Sequence, residues 1–378
     1  MWRSLVARTV RDRKVAGSNP VTPTSITRFN RGHPPARTIE CMTEPLVLVA
    51  NAADGTITSY RMTDDRLIRL ATSRIGHGCS TFVVDEARDL VHVGTKEGPS
   101  IVTCRLDRES GILADIGTVP AVGNPTYLDL AHDGTVLLAA YYSQGVGETR
   151  LVMDDTVGEP VGTIENANLH CVLASADSKH AYFVSLGDDL VAACEVGTDG
   201  SLTRIGDAPA PAGSGPRHLV LDAASANAYV VTEYSGEILR YTRDESGTLT
   251  PAGATVVVDP AYGLLHSRIG ADPMAEHLIW GADLHLSANG RTVWSTERTE
   301  SILATSPIDA DGAVGSPSSY TPTEPQPRGF AVSPDGTHLV VTGERSSTVT
   351  LYGVGDDGSP IELTKVPTGA GSNWVRFV

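Results

Sequence analysis

Several short phrases in this chain carry side chains able to do chemistry on an anionic substrate. "GSGPRHLVLD" holds Arg217 and His218, "QPRGF" holds Arg328, and "NLHCV" holds His170. Glu233 lies in "VVTEYSG", Arg298 in "TERTESI", and Asp283 with His285 in "GADLHL". A guanidinium stays charged and offers a planar donor fork to phosphate or carboxylate. A carboxylate or imidazole beside it can take a proton from water. The reaction suited to such a set develops negative charge on oxygen. Taken singly, each residue also has an ordinary structural role. A histidine at a strand head is commonly a hydrogen-bonded core group, a glutamate near a turn is commonly solvated, and Arg298 has Glu297 and Glu300 as neighbours for a weak surface pair. There is no G-x-S-x-G elbow, no H-E-x-x-H and no Walker-type glycine loop, so covalent, metal and nucleotide chemistry lack a motif. No metal ion or other cofactor is expected.

The elements that hold these residues repeat. A short apolar strand, a turn and a second apolar strand recur as "STFVVDEARDLVHVGT", "TYLDLAHDGTVLLAAY", "HCVLASADSKHAYFVS", "RHLVLDAASANAYVVTE", "ADLHLSANGRTVWSTER" and "RGFAVSPDGTHLVVTGE". Their turns are rich in Asp, Gly, Asn and Pro, which are hairpin signals. The phrases start at Ser80, Thr126, His170, Arg217, Ala282 and Arg328, and the terminal "NWVRFV" adds Asn373; the spacings are 46, 44, 47, 65, 46 and 45. The long interval contains an insertion at 259–277. The seventh unit has only its first strand, and "PLVLVANAADGTITSY" at the other end supplies the missing partners. A repeat that closes on itself this way abolishes its open edge. The expected fold is all-β: a seven-bladed β-propeller with four antiparallel strands per blade over residues 42–378, closed by pairing the C-terminal strand with N-terminal strands.

In such a blade the innermost strand starts at one face of the disc and the hairpin returns to it. The strand heads therefore share a channel mouth with a second column, Lys96, Tyr142, Leu186, Glu233, Arg298 and Glu344. This predicts that His170, Arg217, Glu233, Arg298 and Arg328 converge, while Leu219 and Leu221 pack between blades. His218 and Asp283 are expected beside the channel as substrate contacts. Alternation leaves the direction of His285 open.

Charge narrows the partners. Residues 1–41 carry eight Lys/Arg and two acids, so the remainder carries 21 bases and 43 acids, a balance of −22. Nucleic-acid backbones demand a basic footprint, so no nucleic-acid partner is expected. No stretch reaches the roughly 20 apolar residues that span a bilayer, so no membrane partner is expected. Five cysteines without a C-x-x-C pair fit reduced thiols and a cytoplasmic location. The basic leader lacks the strand rhythm and acidity of the rest; it is expected to be disordered or non-native, with Met42 as the native start. "VAGSNPV" within it is what translation through a transfer-RNA gene produces.

Over residues 45–378, "GSGPRHLVLD", "GADLHLSANGRTVWSTERTESI", "TEPQPRGFAVSPDG" and "GSNWVRFV" in this order resemble the seven-bladed propeller lactonases. That group is typified by propeller-type 6-phosphogluconolactonase, and fungal carboxymuconate-lactonizing enzymes share its fold. The resemblance implies hydrolysis of a small anionic, sugar-derived lactone, with 6-phosphogluconolactone foremost. It also implies an active site of His170, Arg217, Glu233 and Arg298, with Arg328 a further family arginine. Glu233, with His170, would activate water; Arg298 would stabilise the oxyanion; Arg217 and Arg328 would hold the substrate's anion. Two departures stand out: "NLHCV" replaces a family phrase closer to "GCHSA", and the insertion before Trp280 differs. The rival readings are a muconate-type lactonizing cyclase, a non-catalytic binding platform and a metal-dependent gluconolactonase.

Overall fold

The computed structural model describes residues 44–76 and 78–378. The expectation for residues 1–41 lies outside them. The described residues form seven sheets of four antiparallel strands, and in each complete unit the strands follow chain order from the channel outwards. The innermost strands are Thr81–Asp85, Tyr127–Ala131, Leu169–Ala174, Pro216–Leu221, Gly281–Leu286, Phe330–Val332 and Ser372–Phe377. Among the described residues the only helices are a 3₁₀ turn, Pro260–Tyr262, and a four-residue α-helix, Pro273–Glu276. Both belong to the insertion. None is long and apolar enough to cross a membrane.

Burial explains why the apolar runs alternate so poorly. The second strand of a blade is covered on both faces, and Leu90–Thr95, Val136–Tyr141 and His180–Ser185 are buried throughout. A strand covered on both faces reads as a continuous apolar run. The outermost strands, such as Leu113–Pro120, are largely exposed and form the outer edge of the ring. Leu219 is buried in the main core, with Leu221 packed against it. Four cysteines, Cys79, Cys104, Cys171 and Cys194, are buried and unbridged.

The composite blade closes the ring as the repeat predicts. Ser372–Phe377 pairs antiparallel with Leu46–Asn51, with Val49 opposite Val375 and Val47 opposite Phe377. Trp374 ties this closure to the next blade, because its indole N–H donates to the Phe82 carbonyl at 2.9 Å. Removing a buried aromatic of this size costs roughly 3–5 kcal/mol. Trp374→Ala is therefore expected to lower the unfolding free energy by about that amount in urea titration. An unchanged midpoint would mean that the closure depends little on this residue.

Candidate active site

The heads of the inner strands are irregular, and the irregularity positions the site. Register shifts occur between Leu169 and Cys171, between Pro216 and His218, and between Gly281 and Leu284. The extra residues are His170 and Arg217, and Ala282 and Asp283 together oppose the single residue Thr296; in the composite blade the residue skipped is Asn373. A bulge adds one residue to one strand and re-aims a side chain. Here it lets consecutive residues Arg217 and His218 both line the cavity, which simple alternation forbids. Two glycines permit this approach. Gly215 has φ +64°, and a Cβ there would stand 2.5 Å from the Tyr234 ring. A Cβ on Gly281 would lie 2.1 Å from the Thr232 carbonyl oxygen, so only glycine lets this strand reach the neighbouring blade.

The second column returns to the same mouth through a recurring backbone bond. Glu233 N–H donates to Gly215 O at 2.7 Å, Arg298 N–H to Trp280 O at 3.0 Å, and Glu344 N–H to Gln326 O at 3.0 Å. The result is a cavity of about 250 Å³. His170, Arg217, His218, Glu233, Arg298 and Arg328 all line it. Its floor is aromatic: His218 and Trp374 meet edge-on at 5.7 Å between ring centroids, and Tyr127 backs both from beneath, at 5.2 and 5.0 Å.

Glu233 is the hub. Its Oε2 accepts from Arg217 Nε of its own blade at 2.8 Å and pairs with Arg298 Nη2 of the next blade at 3.1 Å. No side chain among the described residues engages Oε1, and the carboxylate is partly exposed to the cavity. Arg298 is buried, stacks 3.8 Å over the Trp280 ring, and also donates from Nη2 to Gly281 O at 3.3 Å. Burial pulls its guanidinium down to about 9, with Glu233 opposing the shift. Arg328 donates from Nη1 to Glu344 Oε1 at 3.0 Å. Burial would raise the Glu344 carboxyl, but Arg328 and Arg298 outweigh it and hold it at about 2.

Arg217 has no exposed surface. Its Nη1 donates to the Ala282 carbonyl and lies 3.2 Å from His218 Nε2, while Nη2 is buried without a partner. Burial, reinforced by Arg217, holds both His170 and His218 below the usual histidine range, the latter at about 3. Both are neutral imidazoles at ordinary pH. His170 packs against Tyr142 and His218 at centroid distances of 5.7 and 5.1 Å, with its Nδ1 buried and unpartnered.

The residues expected at the channel mouth are thus together, except Asp283. Asp283 does not line the cavity. It is 4 % exposed, and its carboxylate is committed below the floor, where Oδ1 accepts from His218 Nδ1 at 2.8 Å and Oδ2 from the Phe330 N–H at 3.2 Å. The bulge turns Asp283 towards the neighbouring inner strands instead of the mouth. His285 lines a separate opening towards the other ends of the inner strands, with Asp129 and Arg376.

Sequence reasoning passed over several lining residues. Lys96 and Tyr142 stood in the second column without being singled out, and Ser80, Thr126 and Trp280 belong to the same wall. Lys96 is exposed at the rim and has no ion pair among the described residues. Its position in the column was the available signal. Four cations (Lys96, Arg217, Arg298, Arg328) face two carboxylates (Glu233, Glu344), a surplus of two on a strongly acidic body. Among the described residues no group of three or more His, Cys, Asp or Glu is arranged to hold a metal ion.

Comparison with known proteins agrees with this fold. The family described as "Lactonase, 7-bladed beta-propeller" matches residues 41–377. The 6-phosphogluconolactonase of Sodalis glossinidius is 28% identical over 341 residues, covering 88% of this chain and 98% of that protein. The Cronobacter sakazakii 6-phosphogluconolactonase is 26% identical, covering 78% of this chain and 86% of that protein. Among solved structures, a putative 6-phosphogluconolactonase from Bacteroides uniformis superposes with a TM-score of 0.79 at 22% identity, covering 89% of this chain and all of that one. The periplasmic gluconolactonase of Pseudomonas aeruginosa gives 0.75 at 24% identity, covering 88% of this chain and 99% of that one. The chain belongs to the seven-bladed β-propeller lactonase family.

Proposed function

We propose that this lactonase hydrolyses 6-phosphogluconolactone to 6-phosphogluconate in the cytoplasm, using its own side chains and no metal ion. The observation that carries the mechanism is the Glu233 carboxylate, held on Oε2 by two guanidinium groups with Oε1 turned to no side chain. Water approaching the lactone carbonyl gives its proton to Oε1 as the new carbon–oxygen bond forms. Arg298 donates to the oxygen on which charge develops, a role that needs a fixed donor in a site with little water. As the tetrahedral species collapses, the ring carbon–oxygen bond breaks and the proton passes from Glu233 to the leaving alkoxide. One water is consumed and a hydroxy acid is formed.

The remaining wall suits the substrate's phosphate. Arg328 commits only Nη1 to Glu344, and Lys96 at the rim makes no ion pair among the described residues, so both can meet a dianion. Arg217 is turned to the reaction end instead, through its bond to Glu233. His170, neutral and against the cavity, is suited to orient the water. The cation surplus also disfavours a divalent metal here. The unbridged cysteines support the location.

The test is an assay of the full chain on freshly generated 6-phosphogluconolactone against its spontaneous hydrolysis, with and without a chelator. Acceleration that survives the chelator, with a higher kcat/KM than for the unphosphorylated lactone, is the expected result. No acceleration would overturn the substrate, and loss with the chelator would overturn the metal-free mechanism.

A further inference from the structure

One carboxylate in the interior is left unused by that mechanism, although it is bound to a cavity residue. Asp283 Oδ1 accepts from His218 Nδ1 at 2.8 Å and from the Leu284 N–H at 3.0 Å, and Oδ2 accepts from the Phe330 N–H at 3.2 Å. His285 Nε2 lies 3.4 Å from Oδ2. An ionised carboxylate only accepts hydrogen bonds. The imidazole nitrogen facing it must therefore carry the proton, so His218 holds its hydrogen on Nδ1 and a bare lone pair on Nε2. That lone pair faces Arg217 Nη1 at 3.2 Å, and a guanidinium only donates. Arg217 in turn donates from Nε to Glu233 Oε2 at 2.8 Å. The chain Asp283–His218–Arg217–Glu233 alternates acceptor and donor at every contact and runs from beneath the aromatic floor to the reacting carboxylate.

The opposite tautomer fails at both ends. With the proton on Nε2, an N–H of His218 would confront an N–H of Arg217, and the Nδ1 lone pair would confront the Asp283 carboxylate. All three groups are buried, Arg217 completely, so no solvent replaces the lost bonds. Leaving such groups unsatisfied is expensive in the interior.

We propose that Asp283 is a positioning residue for the reaction: by fixing the tautomer of His218 it makes that ring an acceptor for Arg217, and so sets the guanidinium that holds Glu233. The functional consequence rests on Glu233 being the base, as proposed above. Asp283 touches no substrate; its influence passes through two side chains.

Asp283→Asn keeps the shape but can present an amide N–H to His218 Nδ1, which favours the wrong tautomer. The expected result is a kcat lowered about tenfold to a hundredfold, with KM changed much less. His218→Gln mimics the native tautomer, since its amide N–H can face Asp283 and its amide oxygen can face Arg217. It is expected to retain more of kcat than Asp283→Asn. The double variant Asp283→Asn/His218→Gln is expected to recover activity relative to Asp283→Asn alone, because the two amides can pair in the required sense. A merely structural role for Asp283 gives no such rescue.

The imidazole ¹⁵N resonances of His218 in the wild-type protein read the tautomer without substrate, whether or not the variants fold. A proton on Nδ1 supports the proposal, and a proton on Nε2 overturns it. Full kcat in folded Asp283→Asn, or a double variant no better than the single one, also overturns it. If Glu233→Gln instead kept full activity, the assignment of the base would fail while the tautomer result stood.

Discussion

Glu233→Gln lowers kcat by about 10²–10⁴, the range a positioned general base contributes, while KM stays near that of the wild type. The expectation follows from where the two carboxylate oxygens are spent. Oε2 is held by Arg217 and Arg298, and Gln can still offer them a carbonyl oxygen in that place. The other atom becomes an amide N–H₂, which cannot take a proton from water. The lesion is thus expected to fall on the chemical step, because Arg328 and Lys96, which also line the cavity and are proposed to hold the substrate's anion, are untouched. The cost to the fold is roughly 3–5 kcal/mol, because two buried guanidinium groups lose their counter-charge. Steady-state rates measured well below the unfolding transition separate the two effects. A variant that turns over at the wild-type rate removes Glu233 from the role of base and leaves the neutral His170 as the group to test.

Arg298→Met is the second large effect. Its guanidinium reaches Glu233, the Gly281 carbonyl and the face of Trp280 at once, so it is fixed before substrate arrives. A fixed donor costs no reorganisation when charge develops, and loss of one such donor lowers kcat by about 10²–10³. Met preserves the apolar stack on Trp280 and much of the volume, so the cavity wall stays in place. Arg298→Lys keeps a charge without the planar fork, and it should recover only part of the rate. If instead Arg298→Met raises KM and leaves kcat unaltered, the arginine binds the substrate's anion and the oxyanion donor lies elsewhere, with Arg217 Nη2 the buried, unpartnered alternative.

Much of this site is legible along the chain because the propeller hairpin is a local unit. The first and second columns lie a constant distance apart in every repeat, so Arg217 with Glu233 and Arg328 with Glu344 become neighbours by hairpin geometry alone. The insertion of 259–277 lengthens one interval without altering the blades on either side of it. Lys96 and Tyr142 were equally visible in the second column and were overlooked because each, viewed singly, is an ordinary surface or core residue.

Seven blades, their closure through "NWVRFV" and the gathering of arginines at one mouth follow from repeated local patterns and from the need to leave no sheet edge open. The fate of consecutive residues in the inner strands does not. Strict alternation would bring only one of Arg217 and His218 to the cavity, and it would allow Asp283 to face the substrate. Bulges at the strand heads bring both Arg217 and His218 inward and send Asp283 beneath the floor. Those bulges depend on how closely adjacent blades approach, as at Gly281 against the Thr232 carbonyl, and that distance is set between strands far apart in the chain. The ion pair between Arg298 and Glu233 crosses the same seam, so this constellation exists only once neighbouring blades have packed.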